Sequence, residues 1–211
     1  EQTQFAMPSG TLAYFEPWAQ GPYSLLPLKD WKGQSERPLT MKLPNGLFVA
    51  IAEAQMTDYA RMKLSLNSSK PNTLQATLYG SVDVIPAYST PWRVIMAGEK
   101  STDLIANKDI IFNLNPDNQL KDVSWIKPQK FMGMWWEMHI GKANWPLAGG
   151  KHGANTKNVK RYIDFAAKHG FDGVLVEGWN KGWEDWFGNW KEDVFDFVSP
   201  YPDYNIDSLS A

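Results

Sequence analysis

The stretch Phe171-Asp-Gly-Val-Leu-Val-Glu-Gly-Trp-Asn-Lys-Gly-Trp183 constrains the fold more than any other, because an apolar run there ends abruptly in a carboxylate, two indoles and an amide. Val174, Leu175 and Val176 are continuous rather than alternating, which suits a strand of a parallel sheet covered on both faces. A helix is predicted just before it. Asn155 or Thr156 can cap that helix, Val159, Tyr162, Ile163 and Ala166 share one face, and Gly170 stands where a left-handed C-terminal residue belongs. Phe131-Met-Gly-Met-Trp135 is read as the preceding strand, continuing to Glu137 and followed by Met138 and His139. The order is strand, helix, strand, with polar and aromatic groups at each strand's C-terminal end, where α/β barrels and open α/β sheets place their sites.

The chain up to about Leu114 has another character. Short runs rich in β-branched and aromatic residues are broken by turn signals such as Pro44-Asn-Gly46, Asn67-Ser-Ser69 and Lys70-Pro-Asn72. Pro38 to Leu43 and Gly46 to Glu53 form the best hairpin candidate, with Asn45-Gly46 supplying the positive φ angles of its turn. Arg61 to Leu66, Thr73 to Tyr79 and Trp92 to Met96 continue the series at spacings typical of a sandwich. No amphipathic helix of three turns is visible in this region. The expected organisation is a β-sandwich part over residues 1–114, a polar, proline-bearing linker over 115–130 and an α/β part over 131–211.

At 211 residues and 43% hydrophobic content the chain can bury a real core. A formal net charge of −2, without a basic run, argues against nucleic acid or an anionic membrane as the main partner. No apolar stretch is long enough to span a bilayer. The absence of cysteine excludes disulfides, thiolate zinc sites and cysteine nucleophiles. Eleven tryptophans are present, eight of them from Trp125 to Trp190, and indoles stack well on the apolar faces of sugar rings, so the composition leans toward carbohydrate.

Near the end, Pro200-Tyr-Pro-Asp-Tyr-Asn205 leads into Ile206-Asp-Ser-Leu-Ser-Ala211, read as a cap and the first turn of another helix. Two parallel strands and one helix cannot bury both faces of a sheet, so the chain is expected to be a piece of a longer protein whose C-terminal part is missing. The alternative is a frayed tail on a complete small domain.

Trp125-Ile-Lys-Pro128, Met134-Trp-Trp-Glu-Met-His139, Lys151-His-Gly153, Tyr162-Ile-Asp-Phe-Ala-Ala167 and the Phe171 to Glu184 stretch together resemble glycoside hydrolase family 97, most closely its α-glucosidase branch. In the first half, Leu43-Pro-Asn-Gly46, Ala52-Glu-Ala54 and Asp58-Tyr59 look like that family's N-terminal sandwich. The resemblance implies a multidomain β plus α/β protein: an antiparallel β-sandwich followed by the beginning of a (β/α)8 TIM barrel. It also implies calcium-dependent hydrolysis of α-linked oligosaccharides by a periplasmic or secreted bacterial enzyme, inverting in the α-glucosidase branch and retaining among the family's α-galactosidases. Its catalytic acid and base come from later barrel strands, beyond Ala211, so the segment alone is expected to be inactive. Glu53 matches the one calcium-site glutamate contributed by the sandwich, although a single carboxylate cannot hold the ion and an ordinary exposed residue is the other reading.

The candidate substrate-binding residues are Trp136, Glu137, His139, Glu177, Trp179 and Asn180. Glu137 and Glu177 invite a reading as a catalytic carboxylate pair, but sugar-hydroxyl binding or loop support suits them better. Most of Glu184, Asp185, Glu192 and Asp193, in a loop that also holds Lys181 and Lys191, read as solvated charges. His139, His152 and His169 lack metal-ligand spacing; His169 suits a helix C-terminus, and His139 is the plausible site histidine. The rival from another class is a noncatalytic carbohydrate-binding module, and a third reading is a structural domain whose indoles are core.

Overall fold

The computed structural model describes residues 3–186 and 188–210. The chain divides into two compact units, 1–119 and 120–211.

The first unit contains β1 (Gln4–Ala6), β2 (Leu12–Phe15), β3 (Ser24–Pro27), β4 (Gln34–Ser35), β5 (Leu39–Lys42), β6 (Phe48–Ala54), β7 (Met62–Leu66), β8 (Thr73–Leu78) and β9 (Trp92–Gly98), then two short helices, α1 (Ser101–Ala106) and α2 (Asp109–Asn113). One sheet has the order β3-β2-β5-β6-β9 and the other β1-β8-β7-β4, with antiparallel pairing throughout. Phe5, Leu39, Met41, Ile51, Met62, Leu64 and Leu74, drawn from both sheets, share one core, which is the arrangement of a β-sandwich. The expected hairpin is β5–β6, in register from Leu39 opposite Ile51 to Lys42 opposite Phe48. Its turn differs from the expectation. The Gly46 N–H donates to the Leu43 carbonyl at 3.0 Å, and of Asn45 and Gly46 only Gly46 has a positive φ. That is a three-residue connection ending in a left-handed glycine rather than a two-residue mirror-image turn.

β6 explains the two helices that the sequence did not announce. Val49 and Ile51 face the inter-sheet core, whereas Ala50, Ala52 and Ala54 face a second cluster with Val94, Met96 and Leu104. Alanines at alternate positions leave room for α1 and α2 to lie against the outer face of β6 and β9.

The second unit contains β10 (Phe131–Gly133), α3 (Trp135–His139), α4 (Thr156–Lys168), β11 (Gly173–Leu175), β12 (Asn180–Lys181), α5 (Trp183–Trp186), β13 (Asp196–Pro200) and α6 (Asp207–Ser210). β10 and β11 pair in parallel, Phe131 opposite Gly173, with α4 between them in sequence. This is one βαβ unit; a closed barrel is not seen in these residues. α4 forms as expected: the Asn155 side chain accepts from the Asn158 N–H, Val159 and Ala166 are buried, and Gly170 has φ +70°. The turn near the end is α6, with Asn205 Oδ1 accepting from the Ser208 N–H at 2.9 Å.

Two strand expectations need correction. β10 stops at Gly133 because Met134 and Met138, four apart, turn into the core together with Trp145, Ala154 and Val159, which winds Trp135–His139 into a helical turn. Trp135 and Trp136 therefore do not alternate across a strand; both lie outside. Nor is the β11 run covered on both faces among the described residues, since Leu175 is 46% exposed. The antiparallel pairing of β12 with β13 was not anticipated.

Candidate functional site

The segments that follow β10 and β11 carry the predicted substrate-binding residues. On α3, Trp136 is 62% exposed and Glu137 is half-buried. His139 is exposed and lies against the Trp135 ring, with centroids 3.6 Å apart. Glu137 is engaged by α4: Asn158 Nδ2 donates to it at 2.8 Å, and Arg161 forms a short ion pair with its other oxygen. Burial alone would push the Glu137 carboxyl up, but the hydrogen bonds from Asn158 and Arg161, with the guanidinium charge, hold it below the ordinary glutamate value. A cavity of about 510 Å³ opens beside this pair, lined by Glu137, His152, Asn155, Asn158 and Arg161 among others, but not by Glu177, Trp179 or Asn180.

After β11, Glu177 is half-buried and has no hydrogen-bond or ion-pair partner among the described residues. Trp179 packs into the second unit's core beside Tyr204, at 5.8 Å between ring centroids, and its carbonyl accepts from the Tyr201 N–H. Asn180 is 3% exposed, and its Oδ1 accepts from Trp183 Nε1 at 3.3 Å. Glu177 is thus the acid left open at the strand end, while Trp179 and Asn180 are tied into the loop.

Two clusters here were not legible as such. Glu184, expected to be solvated, accepts from the Tyr201 hydroxyl in a short hydrogen bond and from the Leu147 N–H at 3.1 Å. Burial opposes its ionisation, yet those donors hold the Glu184 carboxyl below its usual value; burial and the Glu184 carboxylate in turn push the Tyr201 phenol up. His152 rather than His139 is the buried histidine, at 7% exposure. Its Nδ1 lies 2.9 Å from both Asp203 oxygens and its Nε2 lies 2.7 Å from the Gly178 carbonyl. Its only sequence signal was its place in Lys151-His-Gly153, just ahead of the α4 cap, while its partner Asp203 is 51 residues away.

Glu53 belongs to the first unit. It stands on β6 directly opposite Arg93 of β9, and its side chain is 1% exposed. Arg37 Nε donates to Oε2 at 2.7 Å, the Met62 N–H donates to Oε2 at 2.9 Å, and Arg93 pairs closely with Oε1. Nearby, buried Glu36 lies 3.2 Å from Arg61 and 3.0 Å from Lys63. Two carboxylates against four cations leave a local excess of positive charge. Glu53 so placed does not fit a divalent cation, which needs several free oxygen ligands. Among the described residues no three His, Cys, Asp or Glu side chains converge to hold a metal.

Residues 1–116 match the glycosyl-hydrolase 97 N-terminal domain and residues 135–211 match glycoside hydrolase 97. The chain belongs to glycoside hydrolase family 97. Over 98% of its length it resembles a family 97 enzyme from Pseudoalteromonas sp. strain K8 solved in complex with acarbose, at 45% identity and a TM-score of 0.84, covering 32% of that chain. A variant of the same enzyme solved with panose gives the same figures. Among curated proteins, a retaining alpha-galactosidase from Bacteroides thetaiotaomicron is 28% identical and a probable retaining alpha-galactosidase from Streptomyces bingchenggensis is 27% identical, each over 67% of this chain. The family 97 chain spans only 24% and 21% of those two relatives. No helix among the described residues is long and apolar enough to cross a membrane.

Proposed function

We propose that the intact protein is a glycosidase cleaving α-glucosidic bonds of starch-type oligosaccharides by inversion, exported to the periplasm or secreted, and that this segment supplies a sandwich and the opening of its catalytic barrel. The observation that carries the substrate class is the 45% identity, over nearly the whole chain, to an enzyme solved with acarbose and with panose, against 28% to a retaining alpha-galactosidase. A retaining α-galactosidase is the second reading, favoured by those curated relatives.

The geometry supports a binding role, not an acid role, for the carboxylates present. A glycosidase acid needs a raised pKa and a free proton. Glu137 and Glu184 are both held below their ordinary value by donors, so neither suits that task. Glu177 remains open at the β11 end and can accept from a sugar hydroxyl, while exposed Trp136 and His139 offer faces for a pyranose ring. The catalytic acid and base are proposed to come from outside the described residues, leaving the segment alone inactive. Calcium, if the whole enzyme uses it, would need ligands other than the described residues, since both Glu53 oxygens are engaged by Arg37, Arg93 and the Met62 N–H.

The test compares aryl α-glucoside with aryl α-galactoside hydrolysis by the full-length enzyme, following the released anomer by NMR, before and after chelation. Faster turnover of the glucoside with inverted product is expected. Preference for the galactoside with retention would replace the first reading by the second, and full activity after chelation would remove calcium. Glu177→Gln in the same enzyme should lower kcat about tenfold or more while leaving Tm nearly unchanged.

A further inference from the structure

We propose that His152 is a positioning residue that, as a doubly protonated imidazolium, pins the strand-end loop Glu177 to Asn180 in its working place. Each ring nitrogen faces an acceptor: Nδ1 meets the Asp203 carboxylate, and Nε2 meets the Gly178 carbonyl. The Gly178 carbonyl accepts only, and so does Asp203 as a carboxylate, so both contacts are hydrogen bonds together only when both ring nitrogens carry protons. A neutral ring would leave one lone pair against oxygen at 2.7 or 2.9 Å in a buried site. The single positive charge is balanced by Asp203, and the ring is held edge-on by Tyr201 at 4.9 Å. The other charged groups around it are Lys142, Lys151, Lys157 and Arg161, which line the adjoining cavity with Glu137.

What the ring grips is the functional point. Gly178 follows Glu177, the open carboxylate, and precedes Trp179, whose carbonyl is tied to Tyr201. Tyr201 in turn holds Glu184, and Glu184 holds the Leu147 N–H. Asp203 also fastens α4, because its carbonyl accepts from the Thr156 N–H at 2.9 Å and the Thr156 hydroxyl at 2.7 Å. His152 thereby joins the entry of α4, the loop after β11 and the segment after β13 through one cation. A displacement of a positioning element by about 1 Å is enough to disturb chemistry elsewhere in a site.

The kinetic arm of the test rests on the glycosidase reading; a second arm does not. In the full-length enzyme, His152→Phe keeps the ring volume and removes both donors, and His152→Gln keeps one amide donor. Kinetics on an aryl α-glucoside should show kcat per folded molecule falling about tenfold or more in His152→Phe, with a smaller change in KM and partial recovery in His152→Gln. Unchanged kcat per folded molecule, whatever the loss in stability, would overturn the positioning role. If the wild type hydrolyses no α-glycoside, the glycosidase reading fails and the second arm decides alone. That arm is neutron diffraction of the wild type with a crystal structure of His152→Phe. Deuterons on both ring nitrogens and a shifted Glu177 to Asn180 loop in the variant are expected; one bare ring nitrogen, or an unmoved loop, overturns the inference.

Discussion

Glu137 and Glu177 are both glutamates just past a strand end, yet their chemistry diverges because α4 sends Asn158 and Arg161 to the first and nothing described reaches the second. The sequence showed two similar acids and could not rank them. The depressed pKa of Glu137 carries a stability consequence. A carboxyl whose folded value lies below its unfolded one contributes stability above the unfolded value and loses it as pH falls through the folded value. Arg161 is well exposed, so solvent screens the pair, and Glu137→Gln should cost about 1 kcal/mol near neutral pH. The urea midpoints of wild type and variant should differ most near neutral pH and converge as pH falls through the lowered folded value; a gap that stays constant would mean the charge is not what matters. At Tyr201, removal of the hydroxyl takes a donor from the Glu184 carboxylate, whose residue is solvent-exposed. Tyr201→Phe is expected to cost about 1 kcal/mol in denaturant unfolding, and no loss would show that Glu184 is fully served by water instead.

Among elements, α4 was readable because a local rule governs each of its parts: an asparagine cap, a 3.6-residue apolar stripe and a glycine stop. Asn155→Ala should lower stability by about 1 kcal/mol through the freed Asn158 N–H, measurable as a lower urea midpoint with unchanged slope. β6 was readable as a strand but not as a strand buried on both faces. Its alanine row marks the close approach of α1 and α2, so Ala52→Leu should overpack that layer and cost about 1–3 kcal/mol, whereas an unaltered midpoint would mean the helices move aside freely. β10 was read too long because Met134, Trp135 and Trp136 are as compatible with a strand as with a helix turn in isolation. The burial of Met134 with Met138 decides for the turn.

On the scale of the molecule, the two units differ in how fully they close their cores. Residues 1–119 place two antiparallel sheets around one core, with two helices over an outer face. In residues 120–211 the parallel pair has α4 for cover, and Phe131, Leu175, Phe197 and Val198 are exposed. Apolar burial scales with the faces that are covered. Residues 1–119 expressed alone should therefore unfold cooperatively with a β-type circular dichroism spectrum, while 120–211 alone should lack a sharp transition. A cooperative transition in the second unit would show that one covered face suffices.

The sequence by itself determined the class of each half, the β5–β6 pairing, the parallel orientation of β10 and β11 with a helix between them, and the family. These follow from periodicity, caps and turn residues, which act within a few positions of one another. Only the tertiary structure decided which acid is open, which is neutralised and which histidine is buried. Glu53 is enclosed by Arg37 and Arg93, Glu184 is claimed by Tyr201, and His152 is fixed by Asp203, across 16, 40, 17 and 51 residues of chain respectively. No local period encodes contacts at such separations. They exist because folding brings distant donors and acceptors together inside a core where an unpaired polar group is costly.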